Sequence, residues 1–197
     1  MRSFEFDFFP RPETRGDEWG QFDDILETFL NSLSKNGNIV GQWQILELHE
    51  CVQVRVLAPE DSALDEQHWN TYAREDYARI LALSERPAEF RCIAEKMGKR
   101  EEHPCCTCES PSAYMLFTTF LALEMPVDCF DCRRAVPLYR LPHLFNEGGH
   151  YALTGWQSTY AALDWLFMGS GVGERYAYQQ LNGPRSTFNK ESRQLAK

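Results

Sequence analysis

Five of the seven cysteines lie between residues 105 and 132, in two groups whose spacing is typical of metal ligands. Cys105 and Cys108 form one CxxC pair within HPCCTCES, and Cys129 and Cys132 form a second within DCFDCRR. A CxxC turn places two sulfurs on the same side of a tight loop, and tetrahedral zinc takes four such ligands. We therefore predict one structural zinc ion bound by these four cysteines.

The first pair leaves its register open, because Cys106 also forms a CxC pair with Cys108 and His103 lies close enough to substitute as a ligand. A knuckle favours ligands three residues apart, which favours Cys105 over Cys106. Neither knuckle is followed by the usual glycine, since Glu109 and Arg133 stand there. Either the turns differ from the usual knuckle, or a residue other than glycine takes the left-handed conformation.

Other chemistry for these thiols fits the sequence less well. A disulfide is disfavoured if the chain stays in a reducing compartment, and a thioredoxin-like redox pair needs a helix directly after its CxxC. A vestigial site with buried apolar cysteines stays an alternative, and Cys51 and Cys92 on predicted strands are interpreted as core residues of that kind. A catalytic zinc needs an open coordination position, which four thiolates do not leave.

The remaining reactive residues do not form a recognisable catalytic motif. The five histidines show no HExxH pair and no serine or cysteine elbow, so we expect them at the surface or at helix caps. The glycine-rich GSGVG of residues 169–173 follows a helical pattern instead of a strand and lacks the lysine of a phosphate-binding loop. We therefore predict a protein that is not an enzyme and has no small-molecule substrate.

Arginines beside aromatic residues follow the second cysteine pair. Arg133, Arg134 and Arg140 lie close in sequence to Phe130 and Tyr139, and such combinations clamp phosphates and stack on bases. A solvated surface is the alternative interpretation of the same residues, because this part of the chain is nearly neutral. The arginines are our candidate nucleic-acid-binding residues.

The elements that position these groups can be predicted from periodicity. Phe4, Phe6 and Phe8 alternate with polar residues as a half-buried strand, and the next segment carries an apolar helical stripe with Asp17 as N-cap and Gly37 as its end. That stripe consists of Trp19, Phe22, Leu26, Phe29 and Leu33. A strand pair around His49 and Glu50, a helix over 70–84 and a strand after Pro87 then complete a β-α-β-β-α-β order. This is the order of a ferredoxin-like α+β domain, predicted for residues 1–97.

Residues 98–145 are predicted to form a zinc ribbon, with AYMLFTTFLALE and RAVPLYRLP as its strands, and residues 146–197 a helical C-terminal segment. Charged residues without apolar periodicity at 98–103 mark the first boundary. Trp156, Tyr160 and Phe167 lie on one stripe of a strong helix, a short helix follows GSGVGE, and the tail is either a last helix or frayed.

Charge is distributed unevenly along the chain. Residues 1–97 carry 19 acidic and 10 basic side chains, which accounts for the whole net charge of −9. An acidic surface repels phosphate backbones and suits a basic protein partner. The start of the chain lacks an apolar signal region and the longest apolar run, residues 113–123, is too short for a spanning helix, so we expect a cytoplasmic protein without membrane contact.

Several of these motifs resemble an uncharacterised bacterial family of zinc-ribbon proteins, a domain of unknown function for which nucleic-acid binding is conjectured. The resemblance rests on VRVLAPEDSALD, the double CxxC, VPLYRLP, and the run of Trp156, Tyr160 and Asp164 ending in SGVGE. It implies zinc ligation by the two CxxC pairs and gives no purpose to the segment from Trp156 to Glu174. The chain ends at LAK sooner than the resemblance leads us to expect, which leaves open whether the chain is truncated.

We predict from these observations a non-catalytic zinc-ribbon binding protein that contacts nucleic acid or a nucleic-acid-handling partner. The alternative is an acidic inhibitor of antitoxin or immunity type that binds a basic protein through Asp23, Asp24 and Glu27. Salt-dependent binding of nucleic acid would distinguish the two.

Overall fold

The structure, a computed structural model, describes residues 1–16, 18–94, 105–119, 125–143, 148–169 and 171–197. The first half contains the strands β1 (Arg2–Pro10), β2 (Val40–Glu47), β3 (Val52–Ala58) and β4 (Ser84–Ala94), with the helices α1 (Pro12–Gly16), α2 (Trp19–Asn36) and α3 (Thr71–Ala82). The second half contains β5 (Tyr114–Leu116), β6 (Val127–Cys129), α4 (Tyr151–Gly169), α5 (Glu174–Asn182) and α6 (Thr187–Leu195). Short 3₁₀ helices occupy Asp61–Leu64, Glu66–His68 and Leu138–Arg140.

The N-terminal sheet is antiparallel throughout, with strand order β2-β3-β1-β4. Its elements follow one another as β1, α2, β2, β3, α3 and β4, the predicted β-α-β-β-α-β order, with the short helix α1 added before α2. Strand β4 starts before Pro87 rather than after it. Proline is tolerated there because β4 is an edge strand and its pairing with β1 is irregular between Asp7 and Phe9.

The two long helices pack on one face of this sheet. The predicted stripe on α2 is confirmed from Phe22 to Leu33, and Phe22, Leu26, Phe29 and Leu33 are fully buried. Gly37 ends α2 in the left-handed conformation, with φ of 82°. The predicted N-cap, Asp17, lies outside the described residues. Each buried phenylalanine contributes about 1.5–3 kcal/mol, so this layer is the main source of stability for the N-terminal half.

The sequence predicts that β1 is buried on one face only, but its opposite face is buried as well. Glu5 and Asp7 point away from the helices and yet are only 9% and 6% exposed. The guanidinium of Arg91 bonds both carboxylates, and Arg55 contacts Glu5 at 3.4 Å. The arginine side chains therefore cover the acids, because a buried carboxylate requires a paired charge. Cys92 on edge strand β4 is exposed rather than in the core as predicted, whereas Cys51 is buried.

The second half forms a small hairpin and three helices. Strands β5 and β6 pair antiparallel, and a single bridge joins Asp128 to Ala135 where the sequence predicts a longer strand. Part of the other predicted strand, residues 120–124, lies outside the described residues. The tail forms α6, with the Ser186 side chain accepting from the N–H of Asn189 as N-cap. In the described part of the chain, no helix combines the length and apolar character needed to cross a bilayer.

Contacts join the hairpin region to the N-terminal half. Arg140 pairs with Glu60 and donates to the carbonyl of Cys106 at 2.7 Å. A Cβ on Gly37 would lie 2.5 Å from the Leu138 Cβ, so the end of α2 directly abuts the 3₁₀ turn after the hairpin. The predicted boundary at 98–103 lies outside the described residues.

His150, expected at the surface or at a cap, is buried with 2% of its surface exposed. Its backbone N–H donates to the Lys35 carbonyl at 2.6 Å, and its ring packs at 4.9 Å from that of His143. Seating the first turn of α4 on the end of α2 therefore places this imidazole inside the protein.

Candidate metal centre and ribbon surface

Four thiols converge beside the β5–β6 hairpin. The Sγ atoms of Cys106, Cys108, Cys129 and Cys132 all lie within 4.8 Å of one another. A tetrahedral zinc with Zn–S bonds of about 2.3 Å holds its sulfurs about 3.8 Å apart, so only a small contraction separates this arrangement from a ligand shell. The donor set and its spacing therefore fit a thiolate-bound metal.

The four clustered thiols differ from the predicted ligand set at its first member. Cys106 stands where the sequence reasoning placed Cys105, whose Sγ instead lies 3.5 Å from the carbonyl of Pro59. Residues 105–108 have no helical turn, and in an extended chain alternate side chains share one side, so Cys106 and Cys108 face the second pair together. The N–H of Cys106 donates to the Ala135 carbonyl at 2.8 Å and fixes this register. His103 lies outside the described residues.

Cys129 and Cys132 form a tight knuckle. The N–H of Arg133 donates to the Cys129 carbonyl at 2.9 Å, and Arg133 takes a left-handed conformation with φ of 58°. This confirms, for the second pair, that a residue other than glycine accepts the conformation that closes the turn. Among the described residues other than glycine, Arg133 alone has positive φ, so Glu109 does not close the first pair in the same way.

Hydrogen bonds at the knuckle favour a thiolate at Cys129. The pKa of Cys129 is lowered to about 7, mainly by a hydrogen bond from the backbone N–H of Cys132. Burial acts in the opposite direction, and the N–H of Asp131 lowers the pKa further. The neighbouring thiols, Cys106 foremost, raise the pKa of Cys108 to about 12. Four close thiols therefore share protons when no cation is bound, and a divalent cation would displace these protons.

An apolar cluster links the thiols to the C-terminal helices. Cys106 and Cys129 pack with Val127, Val136, Leu138 and Leu153, and Leu153 belongs to α4. The thiol cluster is therefore continuous with the packing that holds α4 against the hairpin.

The three candidate arginines occupy different environments. Arg140 makes the contacts with Glu60 and Cys106 described above. It therefore joins the two halves of the chain, a structural role that the sequence did not reveal. Arg133 is exposed, its guanidinium carbon lies 4.3 Å from the centroid of the Phe130 ring, and one of its nitrogens lies 2.8 Å from the Met115 sulfur. Arg134 is half-buried and accepts from the N–H of Cys129 through its carbonyl.

One exposed aromatic residue lies against Arg133. Phe130 is 47% exposed, and the Arg133 guanidinium lies over its ring. Tyr114 is also exposed, but it pairs with Cys129 and lines a cavity with Leu153 and Leu195, on the side of the C-terminal helices. We call Phe130 and Arg133 the ribbon platform.

One family model matches the second half of the chain. Residues 108–197, slightly less than half of the chain, match the model of DUF2310, a domain of unknown function. This range includes three of the four clustered cysteines and the C-terminal helices, and begins just after Cys106. No curated protein matches the sequence.

Solved structures resemble about half of the chain. Rv0793 from Mycobacterium tuberculosis is 16% identical with a TM-score of 0.37, covering 50% of this chain and 97% of its own. An antibiotic biosynthesis monooxygenase is 13% identical with a TM-score of 0.36, covering 49% and 100%. A conserved protein from Methanosarcina mazei Go1 is 12% identical with a TM-score of 0.38, covering 49% and 95%. At these identities the similarity concerns fold alone and assigns no activity.

Proposed function

We propose that this protein is a non-catalytic binding module in which Cys106, Cys108, Cys129 and Cys132 hold one structural zinc ion and the ribbon platform contacts single-stranded nucleic acid. The spacing of the four thiols supports the metal, because soft thiolates at tetrahedral spacing are the preferred ligands of structural zinc. Four thiolates leave no coordination position for a substrate, which supports a structural role for the ion.

The observation that carries the nucleic-acid proposal is the placement of Arg133 over Phe130, both exposed at the knuckle that Cys129 and Cys132 close. Aromatic rings stack on unpaired bases without sequence preference, and a guanidinium contacts the adjacent phosphate. Because the described residues of this surface include no helix or long ribbon that could enter a duplex groove, single strands are the better fit.

The charge distribution limits how the platform binds. Residues 1–97 are strongly acidic and repel a phosphate backbone, so contacts are confined to the few cations of the hairpin. With Arg133 and Arg134 as the phosphate contacts, binding to a single strand should have a salt slope of about −1.4, at about −0.7 per contact. Stacking rather than charge should supply most of the affinity.

The test is fluorescence anisotropy with single-stranded RNA and DNA oligonucleotides on the zinc-loaded full chain. Phe130→Ala should weaken binding by about 5–150-fold, as expected for the loss of one stacked base. Arg133→Gly should also weaken it, while keeping the left-handed turn that the knuckle requires. Arg175→Ala, an exposed arginine of α5, is the matched control and should bind as the wild type does.

Zinc content is measured for every variant, so that loss of the ribbon is not mistaken for loss of a contact. The proposal fails if the wild type binds neither oligonucleotide. It also fails if Arg175→Ala weakens binding as much as Arg133→Gly does.

A second candidate function is supported by the acidic surface of α2. Asp23 and Asp24 are exposed and Glu27 is half-buried, and the described residues offer none of the three a salt-bridge partner. Unpaired carboxylates on one helix suit a basic protein surface. For an inhibitor of this kind, a basic protein recovered from the native cell would be lost with Asp23→Asn and Asp24→Asn, and the platform variants would have no effect.

A further inference from the structure

A cavity of about 600 Å³ lies between the three C-terminal helices and is separate from the thiol cluster. Its lining includes the aromatic residues Trp156, Tyr160, Phe167 and Phe188 together with Asp164. Trp156, Tyr160, Asp164 and Phe167 are spaced four, four and three residues apart on α4, which places them along one face of the helix. Neither the metal site nor the ribbon platform uses these residues.

The hydrogen-bond donors of the lining are directed into the protein itself. Trp156 Nε1 donates to Ser192 Oγ at 2.8 Å, and that hydroxyl donates to the Phe188 carbonyl at 2.8 Å. The Asn189 amide donates to backbone carbonyls that include those of Leu181 and Gly183, at 3.1 and 3.0 Å. A ligand in the cavity therefore finds these donors already engaged.

The acidic group of the cavity is in the opposite situation. Asp164 is the one charged residue of α4 and is half-buried. Within the described part of the chain, the Asp164 carboxylate makes neither an ion pair nor a hydrogen bond. Arg193, which also lines the cavity, donates from its guanidinium to the Pro184 carbonyl at 2.7 Å instead. Asp164 thus offers an acceptor of full negative charge among aromatic rings.

We propose that this cavity binds an organic ammonium ion, with Asp164 as its counter-ion and the aromatic rings as its walls. Aromatic faces attract cations through their quadrupole, and alkylated ammonium groups combine a diffuse positive charge with apolar surface that the rings can cover. A neutral ligand or an anion held only by Arg193 would leave the half-buried carboxylate unpaired, whereas an ammonium ion pairs with it. The site is independent of the proposed role of the ribbon.

The experiment compares three ligands of nearly the same shape on the full chain, by titration monitored on the indole N–H resonance of Trp156. The ligands are choline, the neutral 3,3-dimethylbutan-1-ol and the anionic 3,3-dimethylbutanoate. Choline should bind at least about 10-fold more tightly than the alcohol, and the anion should not bind. A trimethyl-lysine peptide distinguishes a protein side chain from a free amine as the source of the ammonium group.

The variants separate charge from folding. Asp164→Asn should reduce choline affinity at least about 10-fold, and Glu174→Gln, the same change at an exposed position of α5, should not alter it. Tyr160→Leu gives an independent reading, because it removes one ring and keeps the carboxylate. Thermal melting checks that each variant is folded.

Equal affinities for choline and the alcohol would overturn the proposal. So would preferential binding of the anion, or choline binding that is unchanged in Asp164→Asn. If neither choline nor the trimethyl-lysine peptide shifts the Trp156 resonance at about 10 mM, a concentration that would detect even a millimolar Kd, the cavity is not an ammonium site.

Discussion

The buried imidazole of His150 makes acid stability a specific prediction. Neither ring nitrogen has a hydrogen bond of ordinary geometry, and the ring is 2% exposed. Burial lowers the pKa of His150 from 6.5 to about 4, and the nearby His143 contributes to the lowering. The Leu138 carbonyl acts in the opposite direction and raises the pKa. The folded protein therefore keeps this histidine neutral at pH values where the unfolded chain is protonated.

The sign and size follow from this difference. Between pH 6.5 and about 4 the unfolded chain binds more protons at this residue, so stability is fully present above 6.5 and falls as the pH drops. A pKa that is lower by about 2.5 in the folded than in the unfolded state reduces the free energy of unfolding by about 3 kcal/mol once the pH is below both pKa values. Between about pH 7.5 and 4.5, His150 alone should reduce the free energy of unfolding by about 2.5 kcal/mol.

The assay is urea unfolding of the wild type and of His150→Leu at these two pH values. The leucine variant removes both unpartnered nitrogens and should lose about 2.5 kcal/mol less than the wild type on acidification. His49→Leu, at an exposed position, is the control and should follow the wild type. Equal losses in the wild type and in His150→Leu would refute the reasoning, because the thiols and carboxylates are common to all three proteins.

Two further predictions concern backbone geometry, and both are measured by thermal and urea unfolding. Arg133→Gly should be about 1 kcal/mol more stable than Arg133→Ala, since both remove the guanidinium and only glycine adopts φ of 58° without strain; equal stabilities would contradict the left-handed knuckle. Gly37→Ala should destabilise by at least about 1–3 kcal/mol, because φ is 82° and the new Cβ would meet Leu138 at 2.5 Å. Gly155→Ala, in α4 with open space around it, should instead stabilise by up to about 1 kcal/mol. A stabilising effect of Gly37→Ala or a destabilising effect of Gly155→Ala would contradict the packing.

The N-terminal order of elements could be predicted because periodicity is a local property. Apolar residues two apart on β1 and three or four apart on α2 identify the elements, and Gly37 marks where the helix ends. Burial of Glu5 and Asp7 could not be predicted in this way. It depends on Arg91, which lies more than eighty residues away along the chain and reaches them only through the pairing of β1 with β4.

The candidate metal site was predictable in composition and not in register. Two CxxC pairs identify the chemistry, but the choice between Cys105 and Cys106 depends on which side of an extended segment faces the knuckle. The hydrogen bond from Cys106 to the Ala135 carbonyl decides it, and that contact is tertiary. The role of Arg140 depends in the same way on Glu60, from the other half of the chain.

The proposed metal site requires Cys106, and not Cys105, as a ligand. Zinc content of freshly reduced, purified full chain, measured by mass spectrometry for the wild type, Cys105→Ser and Cys106→Ser, tests it directly. We expect one zinc ion per chain in the wild type and in Cys105→Ser, and loss of most of the metal in Cys106→Ser, because a shell of three thiolates and one serine binds zinc far more weakly. Full zinc in Cys106→Ser together with loss in Cys105→Ser, or no zinc in the wild type, would contradict the site.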